Sequence, residues 1–180
     1  MFEPVIIRSL HDAGGERVHA AALDRIFFEA SSISEFADEE TRSQFRTRWL
    51  GRYLTTWPEH AFLALSPSDR VAGYVVGTLS NAADDARFAD IPYFRAFACF
   101  AAAYPAHLHI NVDRAWRGRG VGGRLIAAFA AHARAAGAPG LHIVTGHGMR
   151  NVGFYRANGF REVQQAEVAG KALVMLGLDL

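Results

Sequence analysis

The chain has 180 residues, of which 51% are apolar and 21% charged, the balance of a globular protein long enough to bury a core. A net charge of +1 lacks the basic excess of a general nucleic-acid binder, and no run of 18 apolar residues offers a membrane span. The single cysteine, Cys99, makes no intramolecular disulfide and no cysteine-based zinc site.

The apolar run Val5-Ile6-Ile7 predicts a first strand over Glu3–Ser9, broken by Gly14-Gly15. Val18, Leu23, Ile26 and Phe27 recur at helical spacing from Glu16 to Ala30, and Ser31, Ser32 and Ser34 punctuate. Asp38 then reads as a helix cap before Arg42, Phe45, Trp49 and Tyr53, with a stop at Thr55–Pro58. Ala61–Leu65 and Val71–Leu79 flank the turn residues Ser66-Pro67-Ser68-Asp69 and predict a hairpin. Residues 80–104 read as a loop followed by a short helix or apolar cover, with Cys99 as a buried apolar thiol rather than a nucleophile.

His107–Val112 predicts a strand and Gly122–Ala136 a helix stopped at Gly137. Leu141–Val144 predicts a strand and Asn151–Asn158 a short helix closed by Gly159. Phe160–Val163 and Ala172–Leu178 predict the last two strands. The order of elements implies an α/β layer on a sheet part antiparallel and part parallel. No linker or repeat divides the chain, so residues 1–180 are expected to form one domain. With no signal-like segment at its start, a cytoplasmic location is expected.

The strongest local signal is Arg117-Gly118-Arg119-Gly120-Val121-Gly122-Gly123, between a strand and a helix. Glycines let backbone approach a ligand, and the first amides of a helix attract anions. Arg117, Arg119 and Arg124 add positive charge, so the turn is a polyphosphate site. Gly118, Gly120 and Gly123 also satisfy the dinucleotide pattern GxGxxG. That reading calls for an acid at the end of the next strand, where Thr145-Gly146-His147 stands. No ATP-type GxxxxGK[ST] occurs.

Arg117, Gly120 and Gly122 fill the alternative pattern Arg-x-x-Gly-x-Gly. This turn resembles the signature of the GNAT acetyltransferases, which holds the pyrophosphate of acetyl-CoA. Asn151-Val152-Gly153-Phe154-Tyr155, with Gly159-Phe160 after it, is similar to a second motif of that family. The order of elements matches over nearly the whole chain. Segments 73–78, 104–110 and 154–156 are further similar to bacterial acetyltransferases related to the C-terminal domain of O-GlcNAcase.

The resemblance implies the GNAT fold, a mixed and mostly antiparallel sheet with helices on both faces. It implies acetyl transfer from acetyl-CoA, as cosubstrate, to an amine of a small molecule or peptide. The expected assembly is a monomer or homodimer with neither nucleic acid nor membrane as partner. It places the backbone of Ile110, Asn111 and Val112 against the pantetheine arm, and Arg117, Gly118, Arg119, Gly120, Val121, Gly122 and Gly123 around the pyrophosphate. Asn151 either bonds the cofactor or caps its helix. A non-catalytic acyl-CoA-binding or interaction module on the same fold is the competing reading.

Tyr155 is the expected general acid, since a phenol of pKa about 10 stays protonated beside a thiol of roughly 8.5. His107 and His109 alternate on their strand and share one face. Either can serve as base, and either can instead be bonded within the fold. The pair resembles the His-Leu-His of serotonin N-acetyltransferase but stands one residue nearer the Gly-rich turn, which in a regular strand turns both to the other face. Asn111 stands where O-GlcNAcase relatives often carry Asp, so an Asp-based mechanism is not implied. His147 is a third candidate base.

Overall fold

The computed structural model describes residues 4–31, 33 and 35–180. The expected start of the first strand at Glu3, and the breakers Ser32 and Ser34, lie outside the described residues. Seven strands form one mixed sheet in the order β1-β2-β3-β4-β5-β7-β6. They are β1 (Ile6–Ser9), β2 (Phe62–Leu65), β3 (Val71–Thr78), β4 (Ala106–Val112), β5 (Gly140–Gly146), β6 (Arg161–Val168) and β7 (Lys171–Asp179). β4 and β5 pair in parallel; the β1–β2, β2–β3, β5–β7 and β6–β7 ladders are antiparallel. The mostly antiparallel sheet is as the sequence predicts.

The chain forms two compact units. The first takes the chain up to Gly77 together with His109–Phe129. Its first helix, α1 (Glu16–Ala30), buries Leu23, Ile26 and Phe27 as their spacing predicts, but Val18, expected in the same stripe, is exposed in the first turn and His19 is buried instead. The second helix is not uniform. Asp38 caps α2 (Glu39–Arg46), its carboxylate accepting from the Thr41 amide at 2.7 Å. A π-turn over Thr47–Gly51 follows, and α3 (Arg52–Thr56) completes the element. Every residue of β3 is buried. Gly73 lies in that strand because a Cβ there would come within 2.9 Å of the Asn111 carbonyl oxygen and 3.2 Å of Val112 Cα. The missing side chain thus lets the end of β4 lie close.

The second unit takes Thr78–Leu108 and Ala130–Leu180. Within 80–104 the only α-helix is α4 (Pro92–Ala96), set among 3-10 turns. Phe97, Tyr104 and Met175 form a buried cluster, with Phe100, Val144, Val163 and Leu173 packed on it. Cys99 corrects an expectation: it is exposed. The 3-10 turn Ala98–Phe100 directs Phe97 inward and leaves the next two residues outside. The strand predicted over Phe160–Val163 runs as β6 to Val168, at the edge of the sheet. α5 (Val121–Ala135) runs through both units, and α6 (Asn151–Ala157) belongs to the second.

Candidate active site

In the first unit, β4 ends at Val112 and the chain passes through Asp113 into a 3-10 turn, Arg114–Trp116. Asp113 fixes this exit in three ways. Its amide donates to the Ala72 carbonyl at 3.0 Å, and its carboxylate accepts from the Ala115 amide at 2.8 Å and from Arg25 of α1 at 2.6 Å. Burial alone would raise the Asp113 carboxyl, but the Arg25 guanidinium and the Ala115 amide outweigh it and hold it below the usual carboxylate range. Arg117 then reaches back, its Nε donating to the Val112 carbonyl at 3.0 Å.

The Gly-rich turn follows on a frame set by these bonds. Gly118 (φ +72°) and Gly120 (φ +75°) adopt the left-handed conformation that glycine tolerates best, and a Cβ on either would meet nothing within 4 Å. Arg117, Gly118, Arg119 and Gly120 are exposed, whereas Val121 and Gly122 are buried as α5 begins. Gly123 is half-buried. The Arg119 guanidinium lies 5.5 Å from the centre of the Trp116 ring. The result is an open, cationic backbone cradle at the start of a 15-residue helix. A cleft of about 700 Å³ lined by Arg25, Glu29, Asp113, Arg114, Ala115 and Arg117 adjoins the exit from β4.

Ile110, Asn111 and Val112 are half-buried at the end of β4. The Asn111 side chain is engaged in the fold, its Nδ2 donating to the hydroxyl of buried Tyr74 at 2.8 Å. His109, two residues earlier, faces α3 and the π-turn. Its Nε2 is hydrogen-bonded to the Tyr53 hydroxyl at 3.0 Å, and the Trp49 ring meets it edge-on with centroids 5.6 Å apart. Tyr53 was legible only as part of an aromatic stripe, and its bond to His109 had no sequence signal.

In the second unit, His107 is buried, its ring 4.7 Å from Phe94, 5.3 Å from Phe88 and 5.6 Å from His142. His107 and His142 are also register partners, the second of the two β4–β5 pairs after Ala106 and Leu141. His142 Nδ1 meets the Tyr104 carbonyl at 2.6 Å. Desolvation pushes its pKa down to about 4, against the raising effect of its backbone hydrogen bonds.

α6 begins at Asn151 itself, so Asn151 does not occupy the capping position, which falls to Arg150. Its Oδ1 accepts from the Thr145 hydroxyl at 3.0 Å. Tyr155 is buried, its ring packed on Phe154 and Phe160. Its hydroxyl has no hydrogen-bond partner among the described residues, and desolvation raises its pKa well above the ordinary phenol value. Burial thus keeps the phenol neutral at physiological pH. His147 is exposed in the loop before α6.

A model of the Acetyltransferase (GNAT) family matches residues 25–160. The chain belongs to this family. It is a GNAT-type acyltransferase, and members of the family use acetyl-CoA. Among solved structures it is similar to one described as SsHAT, at a TM-score of 0.76 and 22% identity over 98% of each chain. A ribosomal-protein-alanine N-acetyltransferase from Brucella melitensis matches at 0.63 and 20% identity, over 97% of this chain and 99% of that one. A chain of the NatC complex, solved with Gag peptide and CoA, matches at 0.63 and 15% identity, over 98% of this chain and 99% of that one. These likenesses carry the fold; the family carries the chemistry. Among the described residues no helix is long and apolar enough to cross a membrane.

Proposed function

We propose that the protein transfers the acetyl group of acetyl-CoA to a primary amine of a small molecule or a peptide. The observation that carries this reading is the exposed Gly118–Gly120 backbone, left-handed at both glycines and flanked by Arg117 and Arg119, at the start of α5. A diphosphate fits the space that the absent side chains leave, where amides and guanidinium groups can donate to it. Ile110, Asn111 and Val112 offer backbone groups to the pantetheine arm and to the oxyanion of the tetrahedral intermediate.

In the reaction the amine nitrogen attacks the thioester carbonyl and loses a proton, a C–N bond forms, the C–S bond breaks, and the departing sulfur takes a proton. Tyr155 is the donor to sulfur: it is neutral, and its hydroxyl bonds no other described side chain. His109 is the base that removes the ammonium proton. His107 is the poorer choice, because it is packed among Phe88, Phe94 and His142. Asn151, held at the start of α6 by the Thr145 hydroxyl, is assigned to the cofactor.

The test is release of free CoA when the protein is mixed with acetyl-CoA and a panel of primary amines. Turnover with at least one amine, lost in Tyr155→Phe, supports the proposal. Acetyl-CoA binding without turnover across peptide and small-molecule amines favours the non-catalytic module instead.

A further inference from the structure

The cleft of about 700 Å³ beside the exit from β4 lies within the first unit and reaches the Gly-rich turn, because Arg117 belongs to both. Apart from Ala115 its lining is charged: Arg25, Glu29, Asp113, Arg114 and Arg117. These charges do not cancel evenly. Arg25 takes both carboxylates, meeting Asp113 at 2.6 Å and Glu29 at 3.3 Å. The Asp113 carboxylate also accepts from the Ala115 amide at 2.8 Å. The Arg117 Nε is committed to the Val112 carbonyl, while its terminal nitrogens bond no described residue. Arg114 is exposed, and its guanidinium bonds no other described residue. The cleft thus engages its carboxylates internally and leaves guanidinium groups for a ligand. An anion suits that arrangement better than an ammonium group. Its volume is that of a small-molecule pocket, larger than a single inorganic anion needs.

We infer that this cleft receives the 3′-phosphate at the adenosine end of CoA, with Arg114 as its main contact and Arg117 shared with the pyrophosphate. This rests on the reading of the Arg117–Gly123 turn as the pyrophosphate site. In CoA the 3′-phosphate and the 5′-pyrophosphate hang from one ribose, so a pocket for the first has to adjoin the site for the second. The cleft meets that condition through Arg117. A guanidinium presents paired N–H groups that can take two oxygens of a phosphate at once. The nucleoside occupies the remaining volume. Arg114 is then a specificity residue: it tells CoA from dephospho-CoA, which differs only at that phosphate.

The experiment is calorimetric titration of the full chain with acetyl-CoA and with acetyl-dephospho-CoA, in the wild type, Arg114→Ala and Arg124→Ala. Arg124 is exposed on α5 and does not line the cleft, so its variant reports the loss of a nearby charge alone. The wild type should bind acetyl-CoA about tenfold more tightly than acetyl-dephospho-CoA, the scale of one hydrogen-bonded charged contact. Arg114→Ala should lose that preference: acetyl-CoA weakens by about tenfold, and acetyl-dephospho-CoA stays within about twofold. Arg124→Ala should keep the preference, with any weakening shared by both ligands. Equal affinity of the wild type for the two thioesters, or a preference that survives in Arg114→Ala, overturns the inference and leaves the acetyl-CoA site standing. A preference lost in Arg124→Ala and kept in Arg114→Ala puts the phosphate outside the cleft and overturns it as well. Binding of neither thioester retires the pyrophosphate reading, and the inference with it.

Discussion

In the first unit the Arg117–Gly120 stretch proposed for the cofactor lies open. Gly118 and Gly120 have empty space where a Cβ would stand, and Arg117 and Arg119 are exposed beside them. In the second unit Tyr155 and His142 are sealed in. Tyr155 is packed between Phe154 and Phe160, and His142 is buried against the Tyr104 carbonyl. The difference separates two kinds of work. Holding a polyphosphate requires backbone amides and mobile charge at a surface. Donating a proton to sulfur requires a group that is protonated at neutral pH, as a phenol is, held beside the leaving atom. Changes at the Gly-rich turn should therefore appear in affinity, and changes at Tyr155 and His142 in rate or in pH-dependent stability.

The largest effect is expected at Gly120. Gly120→Asp puts a strained left-handed backbone and a negative charge where the pyrophosphate is assigned. Acetyl-CoA affinity should fall by at least about 100-fold, roughly 3 kcal/mol, while the circular dichroism spectrum stays native. A folded variant with wild-type affinity would show that the ligand lies elsewhere. Tyr155→Phe is the counterpart in the second unit. A lost general acid lowers kcat by about 100-fold or more, less where thiolate leaves readily, and the acetyl-CoA Kd should stay within about twofold. A kcat within twofold of wild type would make Tyr155 a packing residue.

The pH dependence follows from His142. Its pKa is near 4 in the folded protein against an ordinary 6.5, so the unfolded chain binds the extra proton between these values. Stability from this residue is complete above about pH 6.5 and declines as pH falls toward 4. The loss by pH 4 is on the order of 3 kcal/mol, a large part of a typical folding free energy. Urea unfolding of wild type and His142→Leu at pH 7.5 and 4.5 measures it; equal losses in the two proteins would contradict the account. The smallest effect belongs to Arg25. Arg25→Ala releases one side of the Asp113 clamp, whose guanidinium partner is half exposed, and should weaken acetyl-CoA binding by about threefold with kcat unchanged. An unchanged Kd would show that the two Asp113 bonds within the β3–β4 region suffice.

The sequence was most legible where periodicity and glycine chemistry act locally. The bounds Glu16–Ala30 for α1 were read directly from its apolar stripe, and α5 lies one residue from its expected limits because Gly137, at φ +83°, stops it. The turn proposed for the cofactor was legible because its glycines and arginines stand at the spacing of a polyphosphate site. The π-turn was not, since Phe45, Trp49 and Tyr53 at spacings of four read as a plain helix and the irregularity lies in the backbone. The tail of β6 was hidden because its Glu and Gln residues lie on an edge strand with little apolar alternation. Cys99 was misread because its apolar neighbours dominate the sequence window, while a single 3-10 turn decides which of them points inward. The roles of His107 and His109 stayed open in the sequence because alternation gives both the same face; only their neighbours tell them apart.

The most direct measurement is calorimetric titration of the wild-type protein with acetyl-CoA and, separately, with NAD. The account predicts saturable one-site binding of acetyl-CoA, lost in Gly120→Asp, and no binding of NAD. Absence of acetyl-CoA binding, or tight NAD binding in its place, would contradict the assignment of the Arg117–Gly123 turn.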